Sequence, residues 1–128
     1  MYQVSSKIKS FRDLIAWKEA HALTLLVYKS TKDFPREELF SLTDQIKRSS
    51  TSVGANISEG FSRLSHKEKI QFYSIALGSL TETENRVEVA RDLNYLNKDI
   101  YEQFIKQIIT TSKLINGLIK SLRLTHTT

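Results

Sequence analysis

The sequence predicts an all-α protein, an antiparallel up-down-up-down four-helix bundle, and three observations support this prediction. The 128 residues include only one proline and four glycines, so the residues that end helices and form turns are scarce. Apolar residues recur at three- and four-residue steps in four successive segments. The connections between these segments are short, which makes consecutive helices antiparallel neighbours.

The first two predicted helices meet at the only proline. The first spans residues 13–32 with Asp13 as its N-cap, and its predicted buried stripe consists of Leu14, Trp17, His21, Leu25 and Tyr28. Phe34 ends this helix because a residue before proline avoids helical geometry, and Pro35 opens the second helix, 36–60. The second half of that helix carries small residues that allow another helix to come close, namely Ser49, Ser52, Gly54, Ala55 and Asn56.

Capping residues define the other two helices. Ser65 and Glu68 have capping-box spacing, which predicts the start of a third helix over residues 66–95. Asn97 is the predicted cap of the fourth helix, 98–124, whose apolar residues keep heptad spacing.

The four helices make residues 13–124 a single domain, with a flexible arm at 1–12 and a tail at 125–128. The chain has no cysteine, and no apolar run approaches the roughly 18 residues of a membrane span. Lys7 and Lys9 precede no apolar segment of signal-peptide length. We therefore expect a cytoplasmic protein with no membrane partner.

Positive charge is concentrated at the two ends of the sequence. The net charge is +5, with +3 in residues 1–35, zero in 36–64, −1 in 65–96 and +3 in 97–128. If the first and last helices are neighbours, they share a basic face that attracts phosphate.

Seven basic residues are candidates for nucleic-acid binding. Lys106, Lys113 and Lys120 are seven residues apart and align in one row of the fourth helix, with Arg123 one turn beyond. Lys18 and two further residues of the first segment, Lys29 and Lys32, extend the set. Such a row can follow a phosphate backbone and release its counterions, but a solvated helix face would have the same pattern.

A second group of polar residues recurs along one or two rows of the second helix. It consists of Gln45, Arg48, Ser52, Asn56, Glu59 and Arg63. One interpretation is a hydrogen-bonded seam that fixes helix register within the chain, and the other is a contact with another subunit or a partner.

No residue pattern predicts catalysis or a cofactor. His21, His66 and His126 are scattered without metal-ligand spacing, and no nucleophile elbow or phosphate-binding glycine loop occurs. We therefore predict a protein that is not an enzyme and that binds no metal.

The central residues resemble a known family, the four-helix bundle proteins encoded in intervening sequences of bacterial 23S ribosomal RNA genes, often labelled S23 ribosomal proteins. The matching residues are Phe34-Pro35, Glu38, Leu42, Gln45, Arg48-Ser49, Ser52, Asn56-Ile57, Glu59-Gly60 and Arg63. Further matches extend the resemblance from about Phe11 to Leu122. The family has no established enzymatic activity. Its relatives include accessory variability determinants of diversity-generating retroelements, so the resemblance implies a homo-oligomer, a pentamer, with basic surfaces that bind nucleic acid and a nucleic-acid enzyme.

Two functional hypotheses follow. The first is a non-catalytic homo-oligomer that binds RNA or DNA through phosphate contacts of its basic faces. The alternative is a protein-interaction scaffold or accessory subunit without a direct nucleic-acid role, in which the polar residues of the second helix contact a subunit or partner.

Overall fold

The computed structural model of the protein describes residues 8–126 and contains four helices, which confirms the predicted fold class. They are α1 (Ile15–Ser30), α2 (Leu42–Ser62), α3 (His66–Asp92) and α4 (Lys98–His126). α1 packs on α2 and α4, and α3 packs on the same two helices from the opposite corner of the bundle. Within 8–126 there is no strand. Residues 1–7 of the predicted arm and 127–128 of the predicted tail lie outside the described residues.

The start of α1 differs from the prediction. Ser10 caps a 3-10 turn over Phe11–Asp13, and the Asp13 carboxylate accepts hydrogen bonds from the backbone N–H of Lys9 at 2.8 Å and of Ser10 at 3.1 Å. These two bonds hold the pKa of Asp13 below its ordinary value. Asp13 therefore caps the preceding turn, and α1 begins two residues later at Ile15, without a side-chain cap.

α2 begins at Leu42, six residues after the predicted start. Pro35 is extended and is followed by a 3-10 turn over Arg36–Glu38. The Glu38 carboxylate accepts hydrogen bonds from Ser41 Oγ at 2.7 Å and from Leu42 N at 3.4 Å. Glu38 thus supplies a cap that holds the first turn of α2 in place, and the proline-started helix does not form.

Both predicted caps of the later helices are present. Ser65 Oγ accepts a backbone hydrogen bond in the first turn of α3 at 3.1 Å, and Asn97 Oδ1 accepts one in the first turn of α4 at 2.8 Å. α3 ends at Asp92, earlier than predicted, because Asn94 adopts a left-handed conformation with φ of 64° that a helix cannot include.

The predicted buried stripe of α1 is only partly confirmed, because Leu14 and Trp17 pack against the core whereas His21, Leu25 and Tyr28 are exposed. The core residues of α1 are Ala16, Ala20, Leu23 and Val27. Leu25, predicted to be buried, is 56% exposed, and Tyr28 is 45% exposed. α1 has apolar residues on two faces, so periodicity alone did not identify the face that packs. In α2, α3 and α4 the apolar residues that recur at three- and four-residue steps are largely buried, and they include Ile46, Val53, Tyr73, Val87, Phe104 and Ile115.

α2 and α3 pack more closely than any other pair of helices in the described chain. Two hydroxyl pairs join them at 2.9 Å, one between Ser52 Oγ and Ser79 Oγ and the other between Thr83 Oγ1 and Ser49 Oγ. The prediction that the small residues of α2 allow close approach is therefore confirmed. No helix in the described part of the chain is long and apolar enough to cross a membrane.

Candidate nucleic-acid interface

The lysine row of α4 faces solvent along its whole length. Lys106, Lys113 and Lys120 are all exposed, on the side of α4 opposite the buried Phe104 and Ile115. Seven residues of helix place successive lysines about 10 Å apart in a nearly straight line. Arg123 is also exposed, in the last turns of the helix. The spacing therefore produces the linear basic surface that the sequence suggested.

α1 lies beside this row. The Gln107 side chain of α4 donates hydrogen bonds to Glu19 of α1, at 2.9 Å to the backbone oxygen and 2.7 Å to Oε1. Lys18 and Lys106 each neighbour one member of this pair in sequence, and both are exposed. The two helices with the excess positive charge are therefore adjacent, and these two lysines lie at one level of the bundle.

The other two α1-segment candidates lie elsewhere. Lys29 lines a small cavity with Tyr95 and Asn97 at the end of the bundle where α4 begins. Lys32 lines a cavity between α1 and α2, together with Lys47. The structure thus separates Lys32 from the α4 row, because it lies on the side of α1 that faces α2.

Charge pairing differs between the two halves of the bundle. The ion pairs of the described residues all lie on α2, its C-cap or α3: Arg48–Asp44 at 3.0 Å, Arg63–Glu59 at 2.6 Å, Arg91–Glu88 at 3.3 Å and Arg91–Asp92 at 3.2 Å. Across residues 8–126, no lysine of α1 or α4 belongs to such a pair. The lysines of α1 and α4 thus form no ion pair within the described part of the chain, although Lys18 is close enough to Asp13 to help lower its pKa.

The middle of the predicted polar seam joins α2 to α3 within the chain. Asn56 Nδ2 donates hydrogen bonds to the backbone oxygen of Ser52 at 2.9 Å and to its Oγ at 3.0 Å, and Ser52 in turn contacts Ser79. These contacts fit the interpretation that the seam fixes helix register.

The ends of the seam lie on the surface. Gln45 and Arg48 are exposed, while Glu59 pairs with Arg63. The Arg63 guanidinium also lies over the ring of Phe72, 4.6 Å from its centroid. A stacked, ion-paired arginine is held in place by its own chain, which leaves Arg48 as the more accessible cation of the seam.

The structure keeps His21 and His66 apart. His21 stacks on the Trp17 ring of α1, and His66 Nε2 lies 3.0 Å from Thr125 Oγ1, where α3 begins and α4 ends. The described residues contain no cluster of three or more histidine, aspartate or glutamate side chains that could hold a metal ion.

Comparison with known proteins identifies the family. The model of the 23S rRNA-intervening sequence protein family matches residues 12–117. The chain belongs to this family. A crystal structure of a protein with unknown function from the S23 ribosomal protein family of Bacteroides thetaiotaomicron VPI-5482 is 28% identical, with 83% of this chain and 99% of that chain covered and a TM-score of 0.76. No curated protein matches the chain. The resemblance inferred from the central residues is confirmed.

One basic surface of this family member is not evident in its sequence. Lys47 of α2 lies over the Tyr28 ring of α1, 4.8 Å from the centroid, in a groove between the two helices. The residues come from two segments that only the antiparallel packing brings together. The exposed Tyr28 was assigned to the core, so the groove was missed.

Proposed function

We propose that the protein is a non-catalytic homo-oligomer that binds nucleic acid through the basic face of α1 and α4. The observation that supports this most strongly is the contrast in charge pairing. Lysines on α1 and α4 are exposed and form no ion pair with another described residue, so contact with phosphate would release counterions without breaking such a pair. We place this activity in the cytoplasm, where a chain without cysteine needs no oxidising conditions.

Exposed apolar side chains support self-association. Ile15 and Leu25 of α1 are 61% and 56% exposed, and Ile109 in the lysine row of α4 is 47% exposed. Burying such residues between copies stabilises an assembly by about 25 cal/mol per Å² of apolar surface. The expected number of five subunits follows from the family resemblance.

A protein partner is the alternative occupant of these surfaces. In that case the chain is a scaffold or accessory subunit, for example of a nucleic-acid enzyme, and the same apolar side chains contact the partner. This alternative predicts that nucleic acid does not bind even at low salt.

The test is a fluorescence-anisotropy titration of labelled duplex DNA and RNA at two salt concentrations, on material whose mass has been measured by light scattering. A homopentamer would give close to five times the 14.7 kDa of one chain. In a variant with glutamine at Lys106, Lys113 and Lys120, we expect weaker binding and a salt slope lower by about one for each lost phosphate contact.

The matched control removes the same amount of charge from α3, which packs beside α4 and lies diagonally across the bundle from α1. Glutamine at Lys67, Arg86 and Arg91 of α3 lowers the net charge equally but leaves the α4 row intact, and it should retain most of the affinity. Equal losses in both triple variants would show that net charge matters and the face does not. Unchanged binding of the α4 variant would refute the assignment of the row.

A further inference from the structure

Three cavities adjoin along the surface between α1 and α2. The largest, about 550 Å³, shares Tyr28 and Lys47 with a second of about 400 Å³ at the Phe34 end. It shares Thr51 and Ala55 with a third of about 290 Å³ near Trp17. Because neighbouring cavities share walls, they form one continuous depression, here called the α1/α2 groove. Fifteen residues of α1 and the turn after it give it a length of roughly 20 Å.

The groove is basic. Four cationic side chains line it, Lys32, Arg36, Lys47 and Arg48, and the one carboxylate among its lining residues is Asp44. Asp44 is already paired with Arg48 at 3.0 Å. Three cations therefore remain uncompensated within the groove, close enough together to attract a polyanion.

Aromatic rings interrupt this row of charges. Tyr28 stands between the first two cavities and is 45% exposed. At the other end the Trp17 and His21 rings stack at 4.7 Å with an interplanar angle of 14°, and His21 is the exposed member. The floor between these rings is made of small side chains such as Thr51 and Ala55. Lys47 Nζ already lies over one face of the Tyr28 ring, 4.8 Å from its centroid, so a base would stack on the opposite face or displace this amine.

We propose that the α1/α2 groove binds single-stranded nucleic acid, with bases stacking on Tyr28 and His21 and phosphates contacting Lys32, Arg36 and Lys47. A cationic groove with aromatic side chains along it is the arrangement that binds single strands without sequence preference. A duplex hides the faces of its bases, and an acidic peptide would leave the rings unused. The inference rests on the proposed function in one respect, that the ligand is a nucleic acid. The binding surface is a different one, because the groove lies on a different face from the α4 lysine row.

The test compares two oligonucleotides of about ten nucleotides, within the site sizes of known single-strand-binding domains. One is an oligothymidylate and the other is its abasic analogue, which keeps the phosphates but has no bases. Tyr28→Ala should weaken binding of the oligothymidylate by about tenfold and leave binding of the abasic strand nearly unchanged. Tyr28→Phe keeps the ring and should bind like the parent protein.

Two further measurements keep the test informative if Tyr28→Ala fails to fold. Arg36→Gln removes an exposed groove cation and should weaken binding of both strands severalfold, whereas Lys67→Gln on α3 is the matched loss of one charge and should not. Trp17 is the only tryptophan, so its fluorescence should change when the oligothymidylate binds and should respond little to the abasic strand.

The outcomes separate this inference from the proposed function. If Tyr28→Ala and Arg36→Gln bind the oligothymidylate like the parent while the α4 triple variant loses duplex binding, the groove proposal is overturned and the basic-face proposal stands. If the groove variants weaken single-strand binding while the α4 variant has no effect, the groove proposal stands and the basic-face proposal is overturned. Equal affinity of the parent for the two strands, or equal competition by polyglutamate, would overturn the stacking mechanism.

Discussion

The α2/α3 pair and the α1/α4 pair of the same bundle differ in how their polar and charged side chains are used. Between α2 and α3 the side chains are small, hydroxyl groups pair across the interface, and charged residues on the surface pair with one another. Between α1 and α4 the one polar contact among the described residues is the Gln107–Glu19 contact, and the lysines face solvent without an ion pair in residues 8–126.

This difference indicates that the polar groups of the α2/α3 half and those of the α1/α4 half have different roles. In α2 and α3 they are used inside the chain, to fix the register and distance of two helices. In α1 and α4 the lysines face solvent, where they form no contact that holds two helices together. Substitutions on α2 and α3 should therefore change stability, whereas substitutions of the outward lysines should change binding with little effect on stability.

Gly60→Ala should have the largest effect on stability. A Cβ atom at Gly60 would lie 2.7 Å from Cε1 and 3.0 Å from Cδ1 of Tyr73, whose side chain is buried between α2 and α3. Overpacking costs about 1–3 kcal/mol, and the higher helix propensity of alanine recovers about 1 kcal/mol at most. We expect a net loss of about 1–2 kcal/mol in the free energy of unfolding, measured by denaturant titration followed by circular dichroism.

Gly78→Ala is the matched control on α3. No atom lies within 4 Å of a Cβ at Gly78, and the position is exposed in the middle of the helix. Here the propensity gain is not opposed, so stability should rise by up to about 1 kcal/mol. If both alanine variants were stabilised, the α2/α3 interface would be less tightly packed than its geometry indicates.

Two buried threonines test the polar contact between α2 and α3. Thr83 and Thr111 are both fully buried, and the hydroxyl of each lies within hydrogen-bond distance of a carbonyl oxygen of its own helix. Thr83 Oγ1 additionally contacts Ser49 Oγ across the interface. Thr83→Val should therefore cost about 1 kcal/mol, and Thr111→Val clearly less. Equal losses in thermal denaturation would mean that the pair with Ser49 contributes nothing.

The sequence predicted α2, α3 and α4 better than α1, for a physical reason. On α2 and α4 the large apolar residues concentrate on one face, so their periodicity identifies the side that packs. On α3 most of the apolar residues at helical spacing are buried as well, although Ile75 and Val89 are exposed. On α1 the core side is made partly of alanines, Ala16 and Ala20, whereas larger residues such as Leu25 lie outside. A pattern search that weights size selects the wrong face, and only the positions of the neighbouring helices resolve the choice.

The candidate site, too, could be predicted from the sequence only where its residues lie on a single helix. The α4 row was predictable because Lys106, Lys113 and Lys120 lie on one helix, where spacing alone determines the face. The α1/α2 groove combines Lys32 with Lys47, and no rule of spacing within a segment relates the end of α1 to the first turns of α2. Antiparallel packing brings such residues together, and the level at which two helices meet depends on contacts such as Thr24 Oγ1 to Ser50 O at 3.0 Å.

The smallest expected effect is a pH dependence at the end of the α2/α3 half. Tyr95, just after α3, donates a hydrogen bond at 2.9 Å to the carboxylate of Glu38, just before α2. Hydrogen bonds from Ser41 and from Tyr95 hold the pKa of Glu38 below its ordinary value of 4.5. A carboxyl group with a lowered folded-state pKa contributes stability above its ordinary pKa, and that contribution is lost as the pH falls through the folded-state value.

Tyr95→Phe keeps the ring, which packs against Phe34 at 5.3 Å, and removes only the hydroxyl. The variant should melt slightly below the parent protein at neutral pH, and the difference should shrink as the pH falls through the lowered folded-state pKa of Glu38, below which the carboxyl group is protonated in both proteins. Tyr28→Phe is the control, because it also removes one tyrosine hydroxyl but one that donates no hydrogen bond to Glu38, and any difference from the parent should not depend on pH. A difference for Tyr95→Phe that stayed constant across the acid range would mean that the bond stabilises the fold without involving the charge of Glu38.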